Sequence, residues 1–259
     1  MLFINTRPSD RAVALSTALS KQQVNVFELP LLELQALEYN SDLYFLYQQL
    51  AKSHVIVVVS PTAVEIGMQY LMQSGIAITD LCHVQWIAVG LKTAQALAGY
   101  GIQASIPEVE TSEGMLQLPN LQNLAVGSCI AFWRGEGGRQ FMMQQLHAAG
   151  MQILNFVLYQ RRCPVSASTS LDSLVTQIQQ HKNYTVLISS EASWCNWLEL
   201  LQQYPKIVNQ ARYMVLGSRL TQLLTQYQHQ QQAYFQIIEV FELTPNTIMA
   251  HLNRDEGKA

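Results

Sequence analysis

Short apolar runs alternate with amphipathic segments along the whole chain, a pattern typical of α/β proteins. The clearest run is 55–59, Val-Ile-Val-Val-Val. An unbroken β-branched run of this kind predicts a parallel strand that is covered on both faces. Further strands are predicted at 2–4, 24–29, 86–90, 130–133, 155–162, 186–188, 213–217 and 237–241. Helices are predicted at 12–19, 43–50, 94–98, 140–149, 171–180, 194–201 and 247–252.

The strand at 55–59 leads directly into a helix, and the sequence offers two ways to begin it. Ser60 can act as the N-cap with Pro61 at the first helical position. Alternatively, Thr62 and Glu65 can form a capping box. Either start predicts a strand that turns into a helix without a long loop.

The chain contains an internal repeat of two unit types, A and B, in the order A, B, A, B. The repeat pairs Ser60 with Ser190, Gly90 with Gly217, and Leu31 with Tyr159. The matching segments are 2–31 with 130–159, 55–71 with 185–201, and 86–97 with 213–224. The strands can be stacked in two ways: each A joins the B that follows it, or the first A joins the last B around an inner domain.

Composition narrows the class of protein. The chain has 259 residues, 49% of them hydrophobic and 13% charged, so it can bury a large core and is long enough for more than one domain. Its formal net charge of -3 argues against nucleic-acid binding. No apolar run is long enough to span a bilayer, and the first residues do not resemble a signal peptide. Four isolated cysteines without a CxxC pair favour a reducing, cytosolic compartment.

Basic and hydroxyl side chains are concentrated in the loops that follow the predicted strands. Ligands of parallel sheets bind at these strand ends, where free N–H groups of helix N-termini favour anions. We therefore expect a ligand with several carboxylates or phosphates. Eight of the fifteen basic residues belong to this set. Six lie in the loops, and two end the predicted strand 155–162: Arg7, Arg11, Lys92, Arg134, Arg139 and Arg219, with Arg161 and Arg162. The hydroxyls are Ser60, Thr62, Thr93, Ser112, Ser190 and Ser218, and the glycines are Gly90, Gly135, Gly137, Gly138 and Gly217.

Each of these residues also has a purely structural interpretation. Ser60, Thr93 and Ser112 suit helix caps, Arg161 with Arg162 suits a solvated pair, and Tyr159 suits an interface aromatic. Only their clustering favours function. The sequence contains no motif for a metal site or for a serine hydrolase. Its six histidines lack metal-ligand spacing, and there is no G-x-S-x-G elbow. The segment 134–139 is neither G-x-G-x-x-G nor a Walker motif.

Six motifs in a fixed order resemble the uroporphyrinogen-III synthase family. They are Thr6-Arg7-Pro8, Val59-Ser60-Pro61-x-Ala63-Val64, Val89-Gly90-x-x-Thr93-Ala94, Ser112-Glu113-Gly114, Arg134-Gly135-x-x-Gly138-Arg139 and Tyr159-Gln160. The resemblance implies two flavodoxin-like, parallel-sheet α/β domains joined by a two-stranded antiparallel ladder. It favours the second stacking, with domain 1 formed by 1–34 and 167–259, domain 2 by 38–162, and crossover strands at 30–38 and 156–166.

The resemblance also implies an activity. The family closes hydroxymethylbilane, a linear tetrapyrrole rich in carboxylates, into uroporphyrinogen III with inversion of the terminal pyrrole ring and loss of water. It implies no metal or organic cofactor, a cytoplasmic location and action on a small molecule, and we expect a monomer. Tyr159 is then the candidate general acid at the face of an interdomain cleft, and Ser60 and Thr93 are expected to position the substrate.

The chain departs from the family pattern at two places. Val59 replaces the usual Thr, and the loop from Gly217 to Thr221 lacks the Gly-x-x-Thr-Ala form found at Gly90. Two other hypotheses therefore stand beside the enzyme: a two-lobed cytosolic binding module for a polycarboxylate, and a degenerate scaffold partner of another tetrapyrrole enzyme.

Overall fold

The computed structural model describes residues 1–138 and 140–256. The strands are β1 Leu2–Asn5, β2 Asn25–Glu28, β3 Glu33–Ala36, β4 Val55–Val58, β5 Gln85–Ala88, β6 Ala104–Ser105, β7 Cys129–Gly135, β8 Gln152–Arg162, β9 Tyr184–Ile188, β10 Arg212–Leu216 and β11 Gln236–Val240. The α-helices are α1 Ser9–Lys21, α2 Ser41–Gln49, α3 Pro61–Gln73, α4 Leu91–Ala98, α5 Ser112–Leu116, α6 Pro119–Gln122, α7 Phe141–Ala148, α8 Val165–Thr169, α9 Leu171–Gln179, α10 Glu191–Leu200, α11 Pro205–Gln210, α12 Ser218–Gln231 and α13 Pro245–Glu256. Short 3₁₀ helices lie at Leu50–Lys52 and Ile78–Leu81.

The chain forms two compact units. Unit 1 combines Met1–Glu33 with the described part of Arg162–Ala259, and unit 2 is Leu34–Arg161. Unit 1 contains a parallel sheet in the order β11-β10-β9-β1-β2. Numbered along the chain, these five strands have the order 2-1-3-4-5 when read from β2, which is the flavodoxin-like arrangement.

The sheet of unit 2 has the order β3-β8-β7-β4-β5-β6. Its strands from β8 to β6 are parallel. They repeat the spatial order of the other sheet, although the chain enters them at β4 rather than at β7. The repeat in the sequence is therefore a repeat of whole half-sheets, and the predicted α/β fold with parallel sheets is confirmed.

Strand β3 runs antiparallel to β8. The Leu37 N–H donates to Leu158 O at 2.9 Å, Gln160 Nε2 donates to Gln35 Oε1 at 3.1 Å, and Arg162 pairs with Glu33 at 2.6 Å. Partner numbers fall along β8 as they rise along β3, which is the mark of an antiparallel pair. The boundary between the units falls within both strands.

Strand β4 lies at the centre of unit 2, and its four residues are completely buried. Val55 and Val57 pack into the cluster on one face of the sheet, and Ile56 and Val58 pack into the cluster on the other face. The β-branched run therefore does what its composition predicted: it supplies apolar side chains to both faces of a parallel sheet.

Helix α3 begins as the first of the two predicted alternatives requires. Ser60 has extended backbone, its Oγ accepts a hydrogen bond from the Ala63 N–H at 3.1 Å, and Pro61 is the first helical residue. The Thr62–Glu65 capping box is wrong. Ser190 caps α10 in the same way, with the Ser193 N–H at 3.1 Å.

Several predicted element boundaries are corrected. Helix α4 begins at Leu91 directly after the cap residue Gly90, and not at 94, and α10 begins at Glu191 and not at 194. Strand β7 extends two residues further, to Gly135. The segment 166–170, which the sequence predicts as loop and helix start, lies largely in α8. The two helices begin earlier because backbone N–H groups close their first turns: Thr93 N–H donates to Gly90 O at 3.1 Å, and Trp194 N–H donates to Ser190 O at 3.1 Å. Strand β7 is longer because its last two residues still pair with β8. None of the helices in the described ranges is long and apolar enough to cross a membrane.

Candidate functional site

The carboxyl ends of β4, β5, β7 and β8 meet at one edge of the unit 2 sheet, and a pocket of about 170 Å³ opens there. Its apolar lining comes from the ends of these strands and from helices α5 and α7. Its polar lining is Ser112, Arg134, Glu136, Tyr159 and Arg161, with Gly135, Gly137 and Gly138 as backbone. The apolar lining is Val59, Val89, Met115, Phe132, Met142 and Met143. A largely apolar ligand with a few polar or charged groups suits such a lining.

Tyr159 is the central polar group of this pocket. Its side chain is only 3% exposed, and its hydroxyl shares a hydrogen bond of 2.9 Å with Ser60 Oγ. Ser60 is fixed in turn because the same oxygen caps α3. A tyrosine hydroxyl held by a fixed hydroxyl group, at the wall of a pocket, is suited to donate a proton to a bound molecule.

Arg134 was predicted to bind substrate, and the structure gives its donors other partners. Its side chain is buried, with Nε donating to Gly135 O at 3.2 Å. Nη2 donates to Gly137 O and, at 3.5 Å, to Gly138 O. Burial lowers the pKa of this guanidinium, and the interaction with Tyr159 opposes that effect. Arg134 therefore shapes the loop after β7 and places a positive charge near Tyr159.

The other candidates of unit 2 lie at the same edge with different exposure. Lys92 is exposed in the first turn of α4, whereas Thr93 beside it is 2% exposed. Thr62 and Ser112 are half-buried. Neither Thr93 nor Ser112 is a helix cap: Gly90 precedes α4 without a side-chain bond, and Thr111 caps α5 by accepting from the Gly114 N–H at 3.1 Å.

In unit 1, the candidates lie after β1, β9 and β10. Arg7 is half-buried, and burial followed by the charge of Arg11 lowers its pKa. Ser190 caps α10, and Ser218 is the first residue of α12. Arg219 forms an exposed ion pair with Glu191 through Nη2 and Oε2, so a carboxylate of the chain already meets this guanidinium. Arg139 lies outside the described residues.

Sequence reasoning missed two acidic groups at this edge of unit 2. Glu136 lines the pocket, although it was visible within the 134–139 motif. Glu110 accepts a hydrogen bond from the Leu91 N–H at 2.8 Å, so its carboxylate meets the start of α4. No local signal predicts that contact, because the two residues are brought together only by the fold.

We find no set of metal-ligating side chains in the part of the chain that the structure describes. Within it, no group of three or more His, Cys, Asp and Glu side chains is arranged to hold a metal ion. Its cysteines Cys82, Cys129, Cys163 and Cys195 are all free thiols.

Comparison with known proteins identifies the family. The family model described as HEM4, uroporphyrinogen-III synthase HemD, matches residues 13–234, which is most of the chain. The chain belongs to the uroporphyrinogen-III synthase family. The resemblance drawn from the six motifs is thereby confirmed.

Curated uroporphyrinogen-III synthases give the same result. The enzyme of Salmonella typhimurium is 30% identical over 164 residues, which cover 62% of this chain and 65% of that enzyme, just under two thirds of its length. The enzyme of Escherichia coli K12 is 27% identical over 226 residues, 86% of this chain and 90% of that enzyme.

Solved uroporphyrinogen III synthases share the fold. A mutant of the Thermus thermophilus protein aligns with a TM-score of 0.58 at 13% identity, over 100% of both chains. The protein of Helicobacter pylori 26695 aligns with a TM-score of 0.53 at 11% identity, over 97% of this chain and 98% of that one. At this identity the likeness concerns the α/β fold alone.

Proposed function

We propose that this chain is a uroporphyrinogen-III synthase: it closes hydroxymethylbilane into uroporphyrinogen III, with inversion of the terminal pyrrole ring and loss of water. The product belongs to tetrapyrrole biosynthesis. Family membership supports the reaction. The observation that supports the assignment of roles is the hydroxyl of Tyr159, held by Ser60 at the wall of the unit 2 pocket.

In the first step, Tyr159 acts as the general acid. Its proton passes to the terminal hydroxyl of the substrate, and the carbon–oxygen bond breaks. Water departs, and the substrate becomes an azafulvenium cation. The resulting phenolate is stabilised by a hydrogen bond from Ser60, whose oxygen is already occupied as acceptor by the Ala63 N–H. The buried charge of Arg134 adds electrostatic stabilisation.

The following steps rearrange carbon–carbon bonds. The cation is attacked by the substituted carbon of the terminal ring, which gives a spiro intermediate. That intermediate fragments and closes again with the ring inverted. The proton lost from the last ring carbon returns to the Tyr159 phenolate, so the net change is loss of one water. The protein contributes mainly by holding a flexible chain in the folded geometry that this sequence of bonds requires.

The substrate carboxylates need basic and hydroxyl partners. In unit 2 we assign Thr62, Lys92, Thr93, Ser112 and Arg161 to this role, with Gly135 and Gly138 as backbone of the pocket wall. Arg134 is assigned to the loop rather than to a carboxylate, because its donors bond to carbonyls. Glu136 lines the same pocket, and its negative charge disfavours a substrate carboxylate beside it.

In unit 1 we assign Arg7, Ser190, Ser218 and Arg219 to further carboxylates, and Arg219 must then exchange its bond with Glu191. Arg139 is assigned to the same role on its sequence motif alone. We further infer that the chain acts as a monomer in the cytoplasm, without nucleic-acid or membrane partners. The free cysteines support a reducing compartment.

The test is a product assay. Hydroxymethylbilane is incubated with the chain, the products are oxidised, and type I and type III porphyrins are separated. The chain is expected to give type III, whereas a heat-inactivated sample gives type I from spontaneous closure. Type I alone from the active sample would reject the proposed function.

A further inference from the structure

We propose that Gly135 is a positioning residue for the reaction: the absence of a side chain at this position creates the seat on which the ring of Tyr159 lies, and so aims its hydroxyl into the pocket. The proposal rests on the proposed function, because it concerns the acid of that reaction. Gly135 was predicted as a backbone contact with substrate. In the proposal it instead determines the position of the Tyr159 hydroxyl.

The seat is defined by distances. A Cβ atom added at Gly135 would lie 2.5 Å from Tyr159 Cε2, 2.6 Å from Cζ and 3.0 Å from Cδ2. The first two distances are shorter than the non-bonded contacts that real Cβ atoms make, so any side chain at 135 must displace the ring. The closest contacts include Cζ, the ring carbon that carries the hydroxyl. Displacement therefore moves the reacting group itself.

The backbone around the seat is irregular in a way that serves the same contact. β7 and β8 are in register up to Arg134 with Val157, and Gly135 then pairs with Tyr159, so Leu158 is an extra residue of β8. Such a bulge re-aims the side chains that follow it. Leu158 and Tyr159 consequently pack into the same hydrophobic cluster, although they are adjacent in a strand.

Two polar contacts fix the tyrosine against the seat. The Glu136 N–H donates to the carbonyl of Tyr159 at 2.6 Å, and Ser60 Oγ bonds to its hydroxyl at 2.9 Å. Tyr159 is thus held at its backbone carbonyl and at its hydroxyl, and Gly135 lies against one side of its ring. Together with 3% exposure, these contacts leave the ring little freedom to adopt another position.

The experiment is a double-mutant cycle between Gly135→Ala and Tyr159→Phe, with kcat and KM measured on hydroxymethylbilane. Displacing the hydroxyl by a fraction of an ångström to one ångström is expected to lower kcat roughly 10- to 100-fold and to leave KM within about twofold. In the Tyr159→Phe background the same alanine should change kcat by less than about twofold, because the hydroxyl is already gone. Gly99→Ala, where Cβ would meet only Ala96 O at 3.3 Å, is the control for glycine replacement.

Two results would overturn the proposal: full kcat in Gly135→Ala, or an equal loss in both backgrounds. If Gly135→Ala is too unstable for an activity assay, the free energy of unfolding is measured instead. The double variant Gly135→Ala, Tyr159→Ala should then be more stable than Gly135→Ala alone, because removing the ring makes room for the methyl group. An equally unstable double variant would refute the seat. Lack of type III product from the wild-type chain would reject the proposed function and is distinguishable from both outcomes.

Discussion

Replacing Ser60 by alanine removes two contacts at once, and the repeat supplies a matched comparison. Ser60 Oγ caps α3 and also bonds to the hydroxyl of Tyr159. Ser190 Oγ caps α10 at the same 3.1 Å distance, but its second partner is Ser193, which keeps a bond to the carbonyl of Ser190. Ser60→Ala and Ser190→Ala therefore lose the same cap, and only the first loses the tyrosine.

The magnitudes follow from these contacts. An N-cap serine contributes about 1 kcal/mol to stability, and a net hydrogen bond contributes about another 1 kcal/mol. Ser190→Ala is expected to lower the free energy of unfolding by about 1 kcal/mol, and Ser60→Ala by about 2 kcal/mol. Ser60→Thr keeps both the cap and the hydroxyl and should lie close to wild type.

The assay is urea unfolding followed by tryptophan fluorescence, with kcat measured on each variant. Each substitution is expected to shift the transition of its own unit, and Ser60→Ala should also lower kcat roughly tenfold, because the proton donor loses its support. Two findings would contradict this reasoning: equal stability losses at Ser60 and Ser190, or a Ser60→Ala penalty that is as large in a Tyr159→Phe background as in wild type.

Burial determines three further outcomes. Gly67→Ala should destabilise the protein by roughly 2 kcal/mol in a urea titration, despite the better helix propensity of alanine, because the new Cβ would lie 2.2 Å from Trp133 Cε3; a more stable variant would disprove the contact. Burial raises the pKa of Tyr47 and of Tyr213 above the ordinary value. Stability should thus be complete below about pH 10 and fall above it, as the unfolded chain ionises phenols that the folded chain keeps protonated; a urea midpoint unchanged from pH 8 to 11 would contradict this. Burial also raises the pKa of Cys129, so mass spectrometry should find it unmodified by iodoacetamide until the chain unfolds, and rapid labelling of the native protein would show that the thiol is accessible.

The parts of the fold that the sequence predicted are those set by local composition. The β-branched run of β4 requires two apolar faces, and Ser60 followed by Pro61 requires a helix start; both were visible without a structure. The repeat likewise marks equivalent half-sheets, because matching segments fold into matching strands.

What the sequence did not predict depends on partners that are distant along the chain. The two-residue strand β6 exists only because β5 lies beside it. The bulge at Leu158 arises from the pairing of β8 with β7, and no local pattern distinguishes it from a regular strand. Arg134 was predicted to meet a ligand because it is a basic residue at the end of a predicted strand, yet the carbonyls of the loop that follows occupy its donors.

The turnover of Tyr159→Phe tests the role of the proton donor most directly. The substitution keeps the ring on Gly135 and removes only the hydroxyl that bonds to Ser60. With hydroxymethylbilane as substrate, kcat should fall roughly 100-fold while the residual product is still type III, because the chain continues to fold the substrate. Unchanged kcat would contradict the claim that Tyr159 is the proton donor.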